Sequence, residues 1–194
     1  VYWPGRSYSV DVPALLVFFH ASGFVPGSLD SADALCRALC SRTGVVVVSV
    51  SYRPAPPHPY PAAFHDATAA VEWVADHAAD LAADPARLLV AGEGVGGNLA
   101  AAVALHARDH GWPSPVRQVL IYPNLDARQD ARSYVEHAHA SPNSATRMRW
   151  YYDHYLPGGA SAADPYASPL CVPSVGGVAP ATVVTVEHDP LRDD

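Results

Sequence analysis

The sequence predicts an α/β architecture: a mostly parallel sheet with helices on both faces. Three observations predict it. The apolar runs Pro13–His20 and Val45–Tyr52 are continuous rather than alternating, as strands buried on both faces are. Such runs take turns with stretches whose apolar residues recur at helical spacing, the pattern of βαβ units. Between residues 88 and 100, an apolar run enters a glycine-rich turn and leaves it as an alanine-rich helical pattern.

The elements follow in order. Residues 1–10, with Tyr2, Trp3, Pro4 and Gly5, read as a strand tail and a turn. Pro13–His20 is the first buried strand, and a loop covers residues 21–28. Ser31–Arg42 has Leu35, Cys36, Leu39 and Cys40 on one helical face, and Gly44 stands where a left-handed residue ends a helix. Val45–Tyr52 opens on four valines, the strongest strand signal in the chain. Five prolines (54, 56, 57, 59 and 61) make the next stretch an irregular loop. Pro61 can open a helix expected over Ala62–Ala83, which Asp84-Pro85 breaks. A strand over Arg87–Ala91, a helix over Gly97–Arg108 and a strand over Gln118–Pro123 follow. Asn124–Val178 is long and mixed, with one helix around Ala145–Tyr155, and a last strand spans Ala181–His188.

Composition sets bounds. The 194 residues are 49% hydrophobic and 16% charged, enough for one domain with a real core and against wide disorder. The net charge of −7 argues against a nucleic-acid partner. No apolar run reaches the roughly 18–20 residues of a membrane-spanning helix. Cys36, Cys40 and Cys171 read as buried thiols of a reducing, cytoplasmic compartment, and no Cys/His spacing has the form of a metal site. The whole of 1–194 reads as a single domain, with 124–178 an insertion or cap over the sheet.

Ligands of open parallel sheets bind at the carboxyl ends of the strands. Three such ends, at residues 20–24, 92–97 and 188–193, converge in this reading. Gly92-x-Gly94-x-x-Gly97 also matches the dinucleotide fingerprint, but the next strand ends in Tyr122-Pro123 rather than in an acidic residue. The plainer reading is a tight turn that lets strand and helix pack closely, and no cofactor is expected.

Five ordered motifs resemble those of the hormone-sensitive-lipase-like esterases, a branch of the α/β-hydrolases. His20-Ala21-Ser22-Gly23-Phe24 is similar to the His-Gly-Gly-Gly-Phe loop of that family. Residues 52–63, from Tyr52-Arg53-Pro54 to Pro61-Ala62-Ala63, are similar to its Y-R-L-A-P-E-H-P-F-P-A-A signature. Gly92–Ala100 resembles G-D-S-A-G-G-N-L-A, and residues 164–170 and 189–193 resemble its two late motifs. The resemblance implies a serine hydrolase in which a serine attacks an ester carbonyl, a histidine relays its proton and a carboxylate orients the histidine. The carboxylate position falls on Asp189, and the backbone oxyanion donors fall on Ser22, Gly23 and Val95, with His20 bracing their loop. The nucleophile position falls on Gly94, which has no side chain.

The sequence departs from the family pattern in three ways. Gly94 closes the acyl-enzyme route. The triad histidine is expected past residue 194, because chain order in this fold is Ser, Asp, His; His188 does not replace it. Ala21 and Ser22 stand where the family has glycines, and they resist conformations that glycine allows. The first strands, an N-terminal cap, the last strand and the last helix of the family are expected to be missing, which would leave Thr182–Val186 as a bare apolar edge.

Asp66, Glu72 and Asp76 read as a solvated helix face, and Asp193 and Asp194 as a surface terminus. Trp150, Tyr151, Tyr152 and Tyr155 suit either an acyl pocket or the core. The expected function is that of a carboxylesterase-type domain for a small apolar ester, catalytically impaired as written, with no metal and with a dimer as one candidate assembly. The alternatives are a receptor-like binding module for a small hydrophobic ligand, a non-hydrolytic enzyme using the oxyanion hole, and a fragment without function.

Overall fold

The computed structural model describes residues 1–5, 12–25, 27–112, 114–158 and 162–194. Among the described residues, five strands form one sheet: β1 (Leu15–Phe19), β2 (Val46–Val50), β3 (Leu88–Glu93), β4 (Arg117–Ile121) and β5 (Ala181–Val184). The order is β2-β1-β3-β4-β5, and each neighbouring pair is parallel. The α/β reading is therefore correct. Of the strand tail and turn expected over residues 1–10, the part at 6–10 lies outside the described residues, while Tyr2 forms an antiparallel bridge with Val47.

The pleat sorts β1 between two cores. Leu15, Val17 and Phe19 face helices α2 (Ala62–Asp76) and α3 (Val95–His110), together with Val46, Val48 and Val50 of β2. Leu16 and Phe18 face helix α1 (Leu29–Thr43), which contributes Ala32, Cys36 and Cys40. All five β1 residues are buried, which is why the run does not alternate. Gly44 caps α1 at φ 73°, and its N–H donates to the Cys40 carbonyl.

Several boundaries differ from the sequence reading. Helix α2 stops at Asp76 rather than Ala83: past it, the Ala78 N–H donates to the Ala75 carbonyl, three residues back, at 3.4 Å, and the four-back ladder is broken. Residues 77–82 then form turns that end on Ala82 at φ 55°. Helix α3 starts two residues earlier than expected, directly after Gly94. Strand β5 ends at Val184, because its partner β4 ends at Ile121 and Tyr122 turns away at φ 34°. All four β5 residues are exposed, Val183 by 50% and Val184 by 45%. The 124–178 stretch holds α4 (Arg132–Glu136) and α5 (Ala145–Tyr155), and α5 sends Tyr152 and Tyr155 into the main core.

The sheet reverses its winding at β1. The chain moves from β1 outward to β2, then returns to β3 on the other side. Loops leaving β1 and β3 thus diverge, and a crevice opens above their carboxyl ends. Glycines close the floor of that crevice. A Cβ on Gly96 would fall far inside van der Waals contact of the Phe19 carbonyl oxygen, and one on Gly92 would do the same to the Gly96 carbonyl.

Gly96→Ala is expected to lower stability by about 3 kcal/mol or more, as overpacking against backbone does. Gly111→Ala sits in open space at φ 62° and should cost only roughly 1–2 kcal/mol for its left-handed backbone. Urea denaturation of the two variants checks the difference.

Candidate active site

The crevice holds a cleft of about 410 Å³. Ala21, Ser22 and Gly23 from the β1 loop form one wall, and Glu93, Gly94 and Val95 from the β3–α3 junction form the floor. Tyr122 and Asn124 follow β4, while Met148 and Tyr151 come down from α5 and Leu191 closes the side.

Gly94 stands at φ 57° and ψ −119°, a sharp bend that ordinary residues rarely adopt. The bend is held by hydrogen bonds. The Gly94 N–H donates to the Ile121 carbonyl at 2.9 Å, and the Gly94 carbonyl accepts from the Asn98 and Asn124 N–H groups at 3.2 Å each. Outside its chain neighbours, a Cβ built on Gly94 would meet just the Ala21 Cβ, at 3.9 Å. The backbone there strongly favours glycine, yet the space above it is open.

The β1 loop is braced from behind. His20 is buried and stacks on Tyr52, with ring centroids 4.6 Å apart, and it does not line the cleft. The Tyr52 hydroxyl donates to the His20 carbonyl at 2.7 Å and lies 2.7 Å from Ser22 Oγ. Ser22 Oγ also accepts from the Phe24 N–H at 3.1 Å. The Ser22 hydroxyl thus replaces a glycine with a loop tether. Ala21 and Ser22 both lie outside the positive-φ region, so the strain expected of them does not arise; Gly23, at φ 59°, and Phe24, at φ 63°, carry the unusual backbone instead. Stacking on Tyr155, at 3.5 Å between ring centroids, holds Phe24 there.

Burial lowers the His20 pKa, which keeps the ring neutral, against the opposing pull of the Glu93 charge. The Tyr122 hydroxyl donates to Glu93 Oε1 at 2.8 Å. Burial, then this bond, pushes the phenol up to about 12. Asp189 is 9% exposed, and its Oδ1 accepts from the Leu191 N–H at 2.9 Å. It sits behind the cleft wall, where Leu191 rather than Asp189 reaches the opening.

Behind the floor, Asn98 is fully buried, and its Nδ2 donates to the Asn124 and Ala167 carbonyls at 2.8 Å each. This side chain ties α3 to both segments that follow β4. The Pro-rich loop is fixed by Arg53, which forks onto Asp66 at 2.7–3.1 Å. Asp66 is therefore an anchor and not part of a solvated face. Of the aromatic run in α5, Tyr152 and Tyr155 belong to the core, Tyr151 lines the cleft and Trp150 is exposed.

Residues 16–194 match the family model described as alpha/beta hydrolase fold. The chain belongs to the α/β-hydrolase family. Within it, the chain falls in the hormone-sensitive-lipase-like branch to which the motifs pointed. It is 42% identical over 186 residues to the carboxylic ester hydrolase LipN of Mycobacterium tuberculosis, covering 93% of this chain and 50% of LipN. It is 39% identical over 198 residues to the carboxylesterase NlhH of the same organism, covering 100% of this chain and 61% of NlhH. A hyperthermophilic esterase from Pyrobaculum calidifontis superposes with a TM-score of 0.92 at 41% identity, over 97% of this chain and 61% of that one. The chain thus spans about half to three-fifths of the length of the relatives it matches. It is a carboxylesterase-family α/β-hydrolase. Among the described residues, no helix is long and apolar enough to cross a membrane.

Sequence reasoning passed over Glu93, Tyr122, Asn124 and Met148. Glu93 could have been found, since it stands beside Gly94 inside a motif already singled out. Asp194 is a correction: it is not a surface terminus. Its Oδ2 accepts from the Tyr134 hydroxyl at 3.1 Å and the Leu125 N–H at 3.2 Å. Burial raises its carboxyl from 3.8 to about 7. The folded chain therefore holds this proton more tightly than the unfolded chain. Its contribution to stability is fully present below 3.8 and is lost as pH rises to about 7. Asp194→Asn should be more stable than the unaltered chain at pH 8, with the gap closing toward pH 4, as measured by urea denaturation.

Proposed function

We propose that the cleft receives a small apolar ester, with its carbonyl oxygen directed at the N–H groups of Ser22, Gly23 and Val95, and that no acyl-enzyme forms at residue 94. The observation that carries this reading is the bend at Gly94: φ 57°, ψ −119°, open space above it and no side-chain oxygen. A cleft of about 410 Å³ has room for a small ester. The names of the relatives, carboxylic ester hydrolase and carboxylesterase, support the same substrate class.

Ser22, Gly23 and Val95 line the cleft together. Among the described residues, none of their N–H groups enters the backbone pairing of loops and turns. Val95 opens α3, so its N–H also carries the positive end of the helix dipole. Donors so arranged stabilise an oxyanion, and each such donor is worth about 100–1,000-fold in rate. Asp189 holds the triad-acid position behind the wall, and His20 braces the donor loop through Tyr52.

A cleft with oxyanion donors and no nucleophile retains on the order of 10³–10⁴-fold acceleration over water. The chain is therefore catalytically impaired relative to a serine esterase, but not inert. A receptor-like role is the second reading, favoured by the space left above Gly94. The test is p-nitrophenyl butyrate hydrolysis followed on the stopped-flow timescale, with a fluorophosphonate probe alongside. The expected result is slow turnover with no burst and no labelled protein. A burst of p-nitrophenolate with a trapped acyl-enzyme at residues 92–97 would overturn the reading. Thermal stabilisation by short-chain ketones with no ester turnover at all would favour the receptor-like role.

A further inference from the structure

The cleft floor carries one ionisable side chain next to the missing nucleophile. Glu93 is the last residue of β3, lies half-buried and lines the same cleft as Gly94. Its Oε1 accepts from the Tyr122 hydroxyl at 2.8 Å. Among the described residues, no donor takes its second oxygen, Oε2. Tyr122 is itself held at φ 34°, so an unusual backbone presents the phenol to Glu93. Apart from the adjoining residues 93 and 95, the space that a Cβ at position 94 would fill is open, with Ala21 Cβ at 3.9 Å. A water molecule fits such a space and can enter from the open cleft.

We propose that Glu93 is a general base that activates a water molecule beside Gly94 for direct attack on a bound ester. The inference rests on the ester-cleft reading above. The water oxygen forms a bond to the carbonyl carbon as its proton passes to Glu93 Oε2. The carbonyl π pair moves onto oxygen, against the Ser22, Gly23 and Val95 N–H groups. When that pair returns, the bond to the alkoxy oxygen breaks, and the proton on Glu93 passes to the leaving alkoxide. The products are a carboxylic acid and an alcohol, Glu93 returns to its starting state, and no acyl-enzyme intervenes. The step needs only water and the ester. A carboxylate in this role contributes about 10²–10⁴-fold.

The experiment compares the unaltered chain, Glu93→Gln and Glu93→Ala with p-nitrophenyl acetate, after subtraction of the buffer rate. Binding of p-nitrobenzyl methylphosphonate, an anionic tetrahedral mimic, is measured by calorimetry on the same samples. Glu93→Gln should lose about 100-fold or more of the protein-dependent kcat, with phosphonate affinity unchanged. Glu93→Ala should recover rate in proportion to added formate, which a merely structural role would not produce; this arm stands even where the Gln variant fails to fold. An undiminished kcat in Glu93→Gln, or no response of Glu93→Ala to formate, overturns the role of Glu93 and leaves the ester-cleft reading standing. Failure of the unaltered chain to bind the phosphonate overturns both.

Discussion

The contact between the end of β1 and the start of α3 sets the rest of this molecule. Gly96 lies so close to the Phe19 carbonyl that no side chain fits between them, and Gly92 lies equally close to Gly96. With strand and helix pressed together, the chain has to reverse within a single residue. That residue is Gly94, at φ 57° and ψ −119°. The sharp bend follows from close packing below it, and its geometry does not require a side chain at its apex.

Once the bend is fixed, the neighbouring parts have few options. The sheet reverses its winding at β1, so the loops after β1 and β3 face each other across a crevice. The β1 loop is held from behind by Tyr52, which contacts the ring of His20, its carbonyl and the Ser22 hydroxyl. The other side is held by Asn98, whose amide joins α3 to the segments at 124 and 167. Both braces are buried. Hydrogen bonds in such places contribute modestly while made, but breaking one strands its partner at a cost of about 1–3 kcal/mol. The cleft is thus a preorganised surface, with strained backbone at Phe24 and Tyr122 held by the surrounding packing.

Much of this was legible in the amino-acid order. Runs such as 45–48, four β-branched valines without alternation, favour strands covered on both sides, and the glycines at 92, 96 and 97 announce close approach. What was not legible depended on partners far along the chain. The end of β5 is set by Tyr122 turning β4 away, some sixty residues earlier. Asp194 looks like a solvated end until Tyr134 and Leu125 are seen around it. Helix α2 stops early where the Ala78 N–H bonds three residues back instead of four. Ala21 and Ser22 looked strained in place of glycines, yet the loop puts its left-handed residues at 23 and 24 instead. Glu93 was legible too, since its place beside Gly94 puts it at the same strand end.

The central claim is that packing beneath residue 94, rather than the residue itself, dictates the bend. A crystal structure of Gly94→Ser measures this most directly. Residue 94 is expected to keep φ near 57° and ψ near −119°, with the new hydroxyl in the open space of the cleft and residues 92–98 unmoved. A serine that relaxes to negative φ, with the β3–α3 junction redrawn around it, would show that glycine itself makes the bend.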